Sequence, residues 1–85
     1  MTKSVFTDAY ATMCETLVAA RRDAGVSQVD LAERIGRTQS FISQIERGVR
    51  RLDVIEFYAI AKAIGADPAS LFAALAEKLP ARIEI

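Results

Sequence analysis

The twenty residues from Gln28 to Arg47, QVDLAERIGRTQSFISQIER, leave this chain few ways to fold. Leu31, Ala32 and Ile35 lie one, three and four residues apart, which sets one apolar stripe along a short helix. Ser27, just ahead of it, offers a hydroxyl to the free amides of the first turn, and Asp30 suits the positive end of the helix dipole. Gly36 stands where that helix must stop, because glycine enters the left-handed conformation without a steric cost and lets the chain redirect sharply. Thr38 caps the next helix, and Phe41, Ile42 and Ile45 form its inward face. The spacing predicts two short helices held around a tight turn.

The outward face of the second helix carries Gln39, Ser40, Ser43, Gln44 and Arg47. An ordinary solvated helix favours Glu and Lys, whereas amides, hydroxyls and a guanidinium are the groups that pair with base edges. A helix-turn-helix with such a face points to DNA, with the second helix in the major groove. Gln39 opens that helix, where a side chain reaches into the groove, and its amide suits a bidentate pair with adenine N6 and N7. Plain polar surface is the competing account of these positions.

The rest of the chain reads as three further helices. Tyr10, Met13, Leu17, Ala20 and Ala24 step by three and four, giving an amphipathic first helix over 7–24 that ends at Gly25. After a loop over 48–52, Asp53 and Glu56 cap a fourth helix that runs through Ile64 and closes at Gly65, with Val54, Phe57, Ile60, Ala61 and Ile64 as its core face. Asp67 and Pro68 start a fifth, which continues to about Leu79 before Pro80. Only four glycines and two prolines accompany a 52% hydrophobic, alanine-rich composition, so the fold class is all-α. At 85 residues, one domain over 1–85 is expected, and any contact between copies must come from that module. The tail over 80–85 alternates apolar and charged residues, which suits a short strand or a frayed end.

The formal charge is zero, yet its distribution is uneven. Residues 34–51 hold five arginines (34, 37, 47, 50 and 51) against Glu46 alone, a net +4, while residues 1–33 and 53–85 each carry −2. Arginine grips phosphate in a fork, and phosphate contacts supply most sequence-independent affinity. Arg37, Arg47, Arg50 and Arg51 flank the second helix and are expected on sugar-phosphate oxygens, with Arg50 or Arg51 reaching an adjacent minor groove. Without histidine, and with Cys14 alone, the chain offers no zinc or catalytic-cysteine constellation, and no cofactor is expected. Cys14 reads as a small buried hydrophobe. No signal-peptide core and no run of roughly 20 apolar residues is present, so a cytoplasmic, nucleoid-associated protein away from membranes is expected. Nothing singles out an enzyme.

From Arg21 through Leu71 the chain resembles the phage repressor and Cro family, also called the XRE family. The resemblance rests on Gln28, Leu31, Ala32, Gly36, Thr38, Gln39, Ile42, Ile45, Glu46 and Gly48, followed by the Ile64–Gly65 pair at the family's usual distance. It implies a five-helix DNA-binding domain in which Gln39 reads an adenine and Ser40 and Gln44 are base-facing. It also implies that Gln28 binds a phosphate and braces Gln39, with Thr38 beside the backbone. Arg21 and Glu46 would pair in a partly buried salt bridge. Leu52 departs from the proline that many relatives carry, which bears on the path of the loop.

Phe72, Leu75 and Leu79 make one stripe on the fifth helix, beside small alanines at 73, 74 and 76, and suggest a homodimer. The alternative is that this stripe closes the monomer core. The expected function is a transcriptional regulator that binds a palindromic operator on double-stranded DNA, as a repressor, an antitoxin or a restriction-modification controller. The competing class is a protein-interaction module of the same fold, with a toxin, a polymerase subunit or another regulator as its partner.

Overall fold

Among the described residues, four helices begin on a side chain that accepts a hydrogen bond from the first turn. In the computed structural model, which describes residues 8–84, α1 spans Asp8–Asp23, α2 Gln28–Ile35, α3 Gln39–Glu46, α4 Val54–Ala63 and α5 Pro68–Lys78. Ser27 accepts from the Asp30 amide at 3.0 Å, and Thr38 from that of Phe41 at 3.2 Å. Asp67 accepts from Ser70 at 3.1 Å, with Pro68 in the first turn. Asp53 and Glu56 form a reciprocal capping box, each carboxylate taking the other residue's backbone N–H, at 2.7 and 3.0 Å. Gly36 has φ 71° and ψ 33°, the left-handed geometry that ends α2 and turns the chain into α3.

α2 packs on α3 and α4, α1 spans α3 and α5, and α4 lies on α5. Leu17, Leu31, Phe41, Ile42, Ile45, Phe57, Ile60 and Leu75 meet in the core, with Leu31, Ile42 and Ile45 its largest fully buried side chains. Cys14 is buried, and that burial pushes its thiol up, as befits a small core residue. Leu52 fills a core position, and Tyr10 donates its hydroxyl to the Arg50 carbonyl at 2.7 Å, so the loop after α3 is pinned to α1.

Several sequence expectations are corrected. Val54 is 74% exposed: as the first residue after the Asp53 cap it faces outward, while Phe57, Ile60, Ala61 and Ile64 are buried. Ala24 lies exposed in the turn after α1, so the α1 stripe stops at Ala20. α4 ends one residue early, at Ala63, with Ile64 as its cap. The expected start of the first helix at Thr7 falls outside the described residues. Residues 80–84 are exposed and form neither helix nor strand, and Ile85 is also outside that range. Among the described residues no single helix is long and apolar enough to cross a membrane.

The Glu56 carboxylate, gripped by Arg50 and the cap, also makes stability depend on pH. Hydrogen bonds from Arg50 and from the Asp53 amide hold the Glu56 carboxyl below its ordinary value of 4.5. A depressed carboxyl contributes stability that is fully present above the ordinary value and is lost as pH falls through the lower folded one. Glu56→Gln is therefore expected to be less stable than the parent at neutral pH, with the gap narrowing below pH 4.5. Urea melts of both proteins at neutral and acid pH would test this, and a gap constant with pH would refute it.

Candidate nucleic-acid interface

α3 presents two faces with different chemistry. Phe41, Ile42 and Ile45 point into the core, which leaves Gln39 and Ser40 exposed and Ser43 and Gln44 half-buried on the other side. Gln44 donates through Nε2 to Ser40 Oγ at 3.2 Å, and Arg47 through Nε to Ser43 Oγ at 3.1 Å. These i,i+4 bonds order the outward side chains while leaving them at the surface. Among the described residues no group of acidic, cysteine or histidine side chains could hold a metal ion.

Behind this face lies a polar network. The Arg21 and Glu46 side chains are only 8% and 9% exposed, and Arg21 Nε lies 2.6 Å from Glu46 Oε2. Arg21 Nη2 reaches Oε1 at 3.0 Å and Nη1 reaches the Val26 carbonyl at 2.8 Å. Gln28, the first residue of α2, donates to Glu46 Oε1 at 2.8 Å and accepts from Gln39 Nε2 at 3.1 Å. The turn at Gly36 brings these residues together from α1, α2 and both ends of α3.

The flanking arginines are held in different ways. Arg37 stacks its guanidinium 3.9 Å from the centre of the Phe41 ring. Arg50 lies over the same ring at 4.5 Å and pairs with Glu56 through two bonds of 3.0 Å. Arg51 sits over the Tyr10 ring, and Arg34 donates to the Ala63 carbonyl at the end of α4. Arg47 is exposed at the end of α3, and Thr38 uses its side-chain oxygen as the α3 cap. The sequence signal for Glu56 is the capping box; nothing in the spacing shows that the same carboxylate also grips Arg50. Likewise, the core pattern identifies Phe41 but not that two guanidiniums lie over its ring.

Of the three expected dimer-face residues, Leu75 is corrected. At 3% exposure it belongs to the core beside Phe57 and Ile60, so it has no surface to offer a second chain. Phe72 is 54% exposed and meets Phe57 edge-on, with ring centroids 6.1 Å apart, and Leu79 is half-buried against the core. α4 adds Ile55 and Tyr58 to the exposed apolar surface.

A helix-turn-helix family model matches residues 17–71. The chain is 40% identical over 45 residues to the uncharacterized HTH-type transcriptional regulator y4dJ of Sinorhizobium fredii, a match covering 53% of this chain and 58% of that one. An XRE-family-like protein of Pseudomonas syringae pv. tomato superposes with a TM-score of 0.79 at 44% identity, covering 85% of this chain and 88% of the other. The restriction-modification controller C.Esp1396I, solved as a tetramer on its natural 35 base-pair operator, superposes at 0.77, covering 85% and 95%. Its identity is 24%, so that likeness concerns the fold alone.

Proposed function

Because the chain belongs to the XRE-type helix-turn-helix family of DNA-binding transcriptional regulators, we propose that it recognises a specific palindromic operator as a homodimer. The observation that carries this is the outward face of α3, where Gln39, Ser40, Ser43 and Gln44 lie together with Arg37 and Arg47 at either end. In this proposal Gln39, Ser40, Ser43 and Gln44 face bases. Gln28, Arg37, Thr38, Arg47, Arg50 and Arg51 contact the backbone and fix the register. Glu56 holds the Arg50 guanidinium through two hydrogen bonds of 3.0 Å. The operator-bound tetramer of C.Esp1396I supports an assembly of several copies on DNA. Phe72 supplies exposed apolar area for a contact between copies, with Leu79 beside the core. Two recognition helices related by a two-fold axis would meet half-sites about 34 Å apart, one helical turn.

The test is selection of binding sites from a random DNA library with the full chain at near-physiological salt. An enriched inverted repeat is expected. On that site Gln39→Ala should lose about 1 to 3 kcal/mol and relax preference at one position, while Arg47→Ala should weaken binding to all sequences alike and flatten the salt dependence. Equal losses on every sequence for both changes would refute this division of roles. No enrichment from folded protein would refute the operator itself.

A further inference from the structure

The hydrogen bonds that join the buried ion pair to the tip of α3 run in one direction. The Glu46 carboxylate has no proton to give, and Arg21 approaches it with two N–H groups while its third contact is fixed on the Val26 carbonyl. Gln28 can therefore face Glu46 only with its amide nitrogen, at 2.8 Å. That turns the Gln28 carbonyl oxygen toward Gln39, which must answer as a donor, at 3.1 Å. One Nε2 hydrogen of Gln39 is thereby used, leaving it one N–H and its Oε1 for an incoming ligand.

Resting on the base-reading role proposed above for Gln39, we infer that Glu46 is a positioning residue: acting through Gln28, it fixes the donor and acceptor order of the Gln39 amide and so selects adenine over guanine at the base Gln39 faces. Adenine shows the major groove an N7 acceptor and an N6 donor, which match the remaining N–H and Oε1. Guanine shows two acceptors, N7 and O6, and the Gln39 oxygen would be set against one of them. A Gln39 free to turn over could give both amide hydrogens to guanine; the chain of bonds from Glu46 removes that choice. The bracing of Gln39 by Gln28 is what the family resemblance implies, whereas the fixed polarity comes from the acceptor-only carboxylate at the far end.

The experiment compares the selected operator with A·T or G·C at the position that Gln39→Ala relaxes, and the readout is the affinity ratio of the two duplexes. Two variants are used, because Glu46→Gln leaves Arg21 buried without a counter-charge and is checked for folding by circular dichroism. The second, Gln28→Leu, interrupts the chain of bonds at a half-buried helix start and spares the ion pair. The parent should favour adenine by about tenfold or more, and each folded variant should reduce that ratio to about twofold or less. A merely structural role for Glu46 would lower both affinities together and keep the ratio. An undiminished ratio in Gln28→Leu overturns the inference while leaving Gln39 as a base reader. If Gln39→Ala relaxes no position at all, base reading by Gln39 fails, and the inference fails with it.

Discussion

Glu46→Ala is expected to lower the unfolding free energy by about 3 to 5 kcal/mol, because it removes one partner of an ion pair that is almost wholly out of solvent. The magnitude follows from what remains behind. Arg21 keeps its bond to the Val26 carbonyl and loses both contacts to the carboxylate, in a site where its side chain is only 8% exposed. A guanidinium cannot shed its proton to escape, so its charge stays desolvated and unpaired. Small domains are stable by about 5 to 15 kcal/mol, so one substitution removes a large share. Arg21→Met combined with Glu46→Leu should cost far less than either single change, because no charge is stranded and the volume is largely kept. Urea melts of the parent, both single variants and the double variant give the coupling directly. Additive losses would mean that the two side chains do not act as a pair. The same double variant separates folding from base selection, since it restores packing and still leaves Gln28 without its acceptor.

Local rules made most of this fold legible. Each capped start, at Ser27, Thr38, Asp53 and Asp67, involves an oxygen and an amide only three residues apart, so short-range sequence specifies it. The turn at Gly36 is equally local. Periodicity identified the inward face of α3 but overextended at the ends of other helices. Val54 and Ala24 continue their stripes in sequence, yet lie where the helix has just begun or already stopped and nothing packs over them. Leu75 illustrates a different limit. A stripe of apolar residues states that a face will be covered and does not state by what, and here α5 turns Leu75 into its own core while Phe72 stays out. Within the candidate interface, residue types were legible and partners were not. Arg21 and Glu46, 25 positions apart, are joined by the family resemblance and by no spacing rule. The grip of Glu56 on Arg50 depends on how the loop held by Tyr10 returns to α4, which is a tertiary outcome.

The other large effect is expected at Ile42. This side chain is 1% exposed at the centre of α3, on the face opposite the candidate base contacts, and sits in the core with Leu31 and Phe41. Ile42→Ala should cost about 2 to 5 kcal/mol, through lost burial of the removed carbons and through the cavity left between helices that cannot fully close. For a domain of this size that corresponds to a fall in Tm of roughly 10 to 30 °C. Ile42→Val, which removes one methylene, should cost only about 0.5 to 1.5 kcal/mol. Val54→Ala, at a site 74% exposed, should stay within about 0.5 kcal/mol of the parent. Thermal melts followed by circular dichroism would rank the three, and a loss at Ile42→Ala no larger than that at Val54→Ala would show that α3 is not anchored by this residue. The consequence for function follows from geometry: α3 is eight residues long, too short to hold its shape without packing. Its outward amides keep their positions only because the inward isoleucines hold the helix against its neighbours. Ile42→Ala should therefore weaken operator binding without touching DNA, by shrinking the folded population and loosening the platform, whereas Ile42→Val should bind as the parent does.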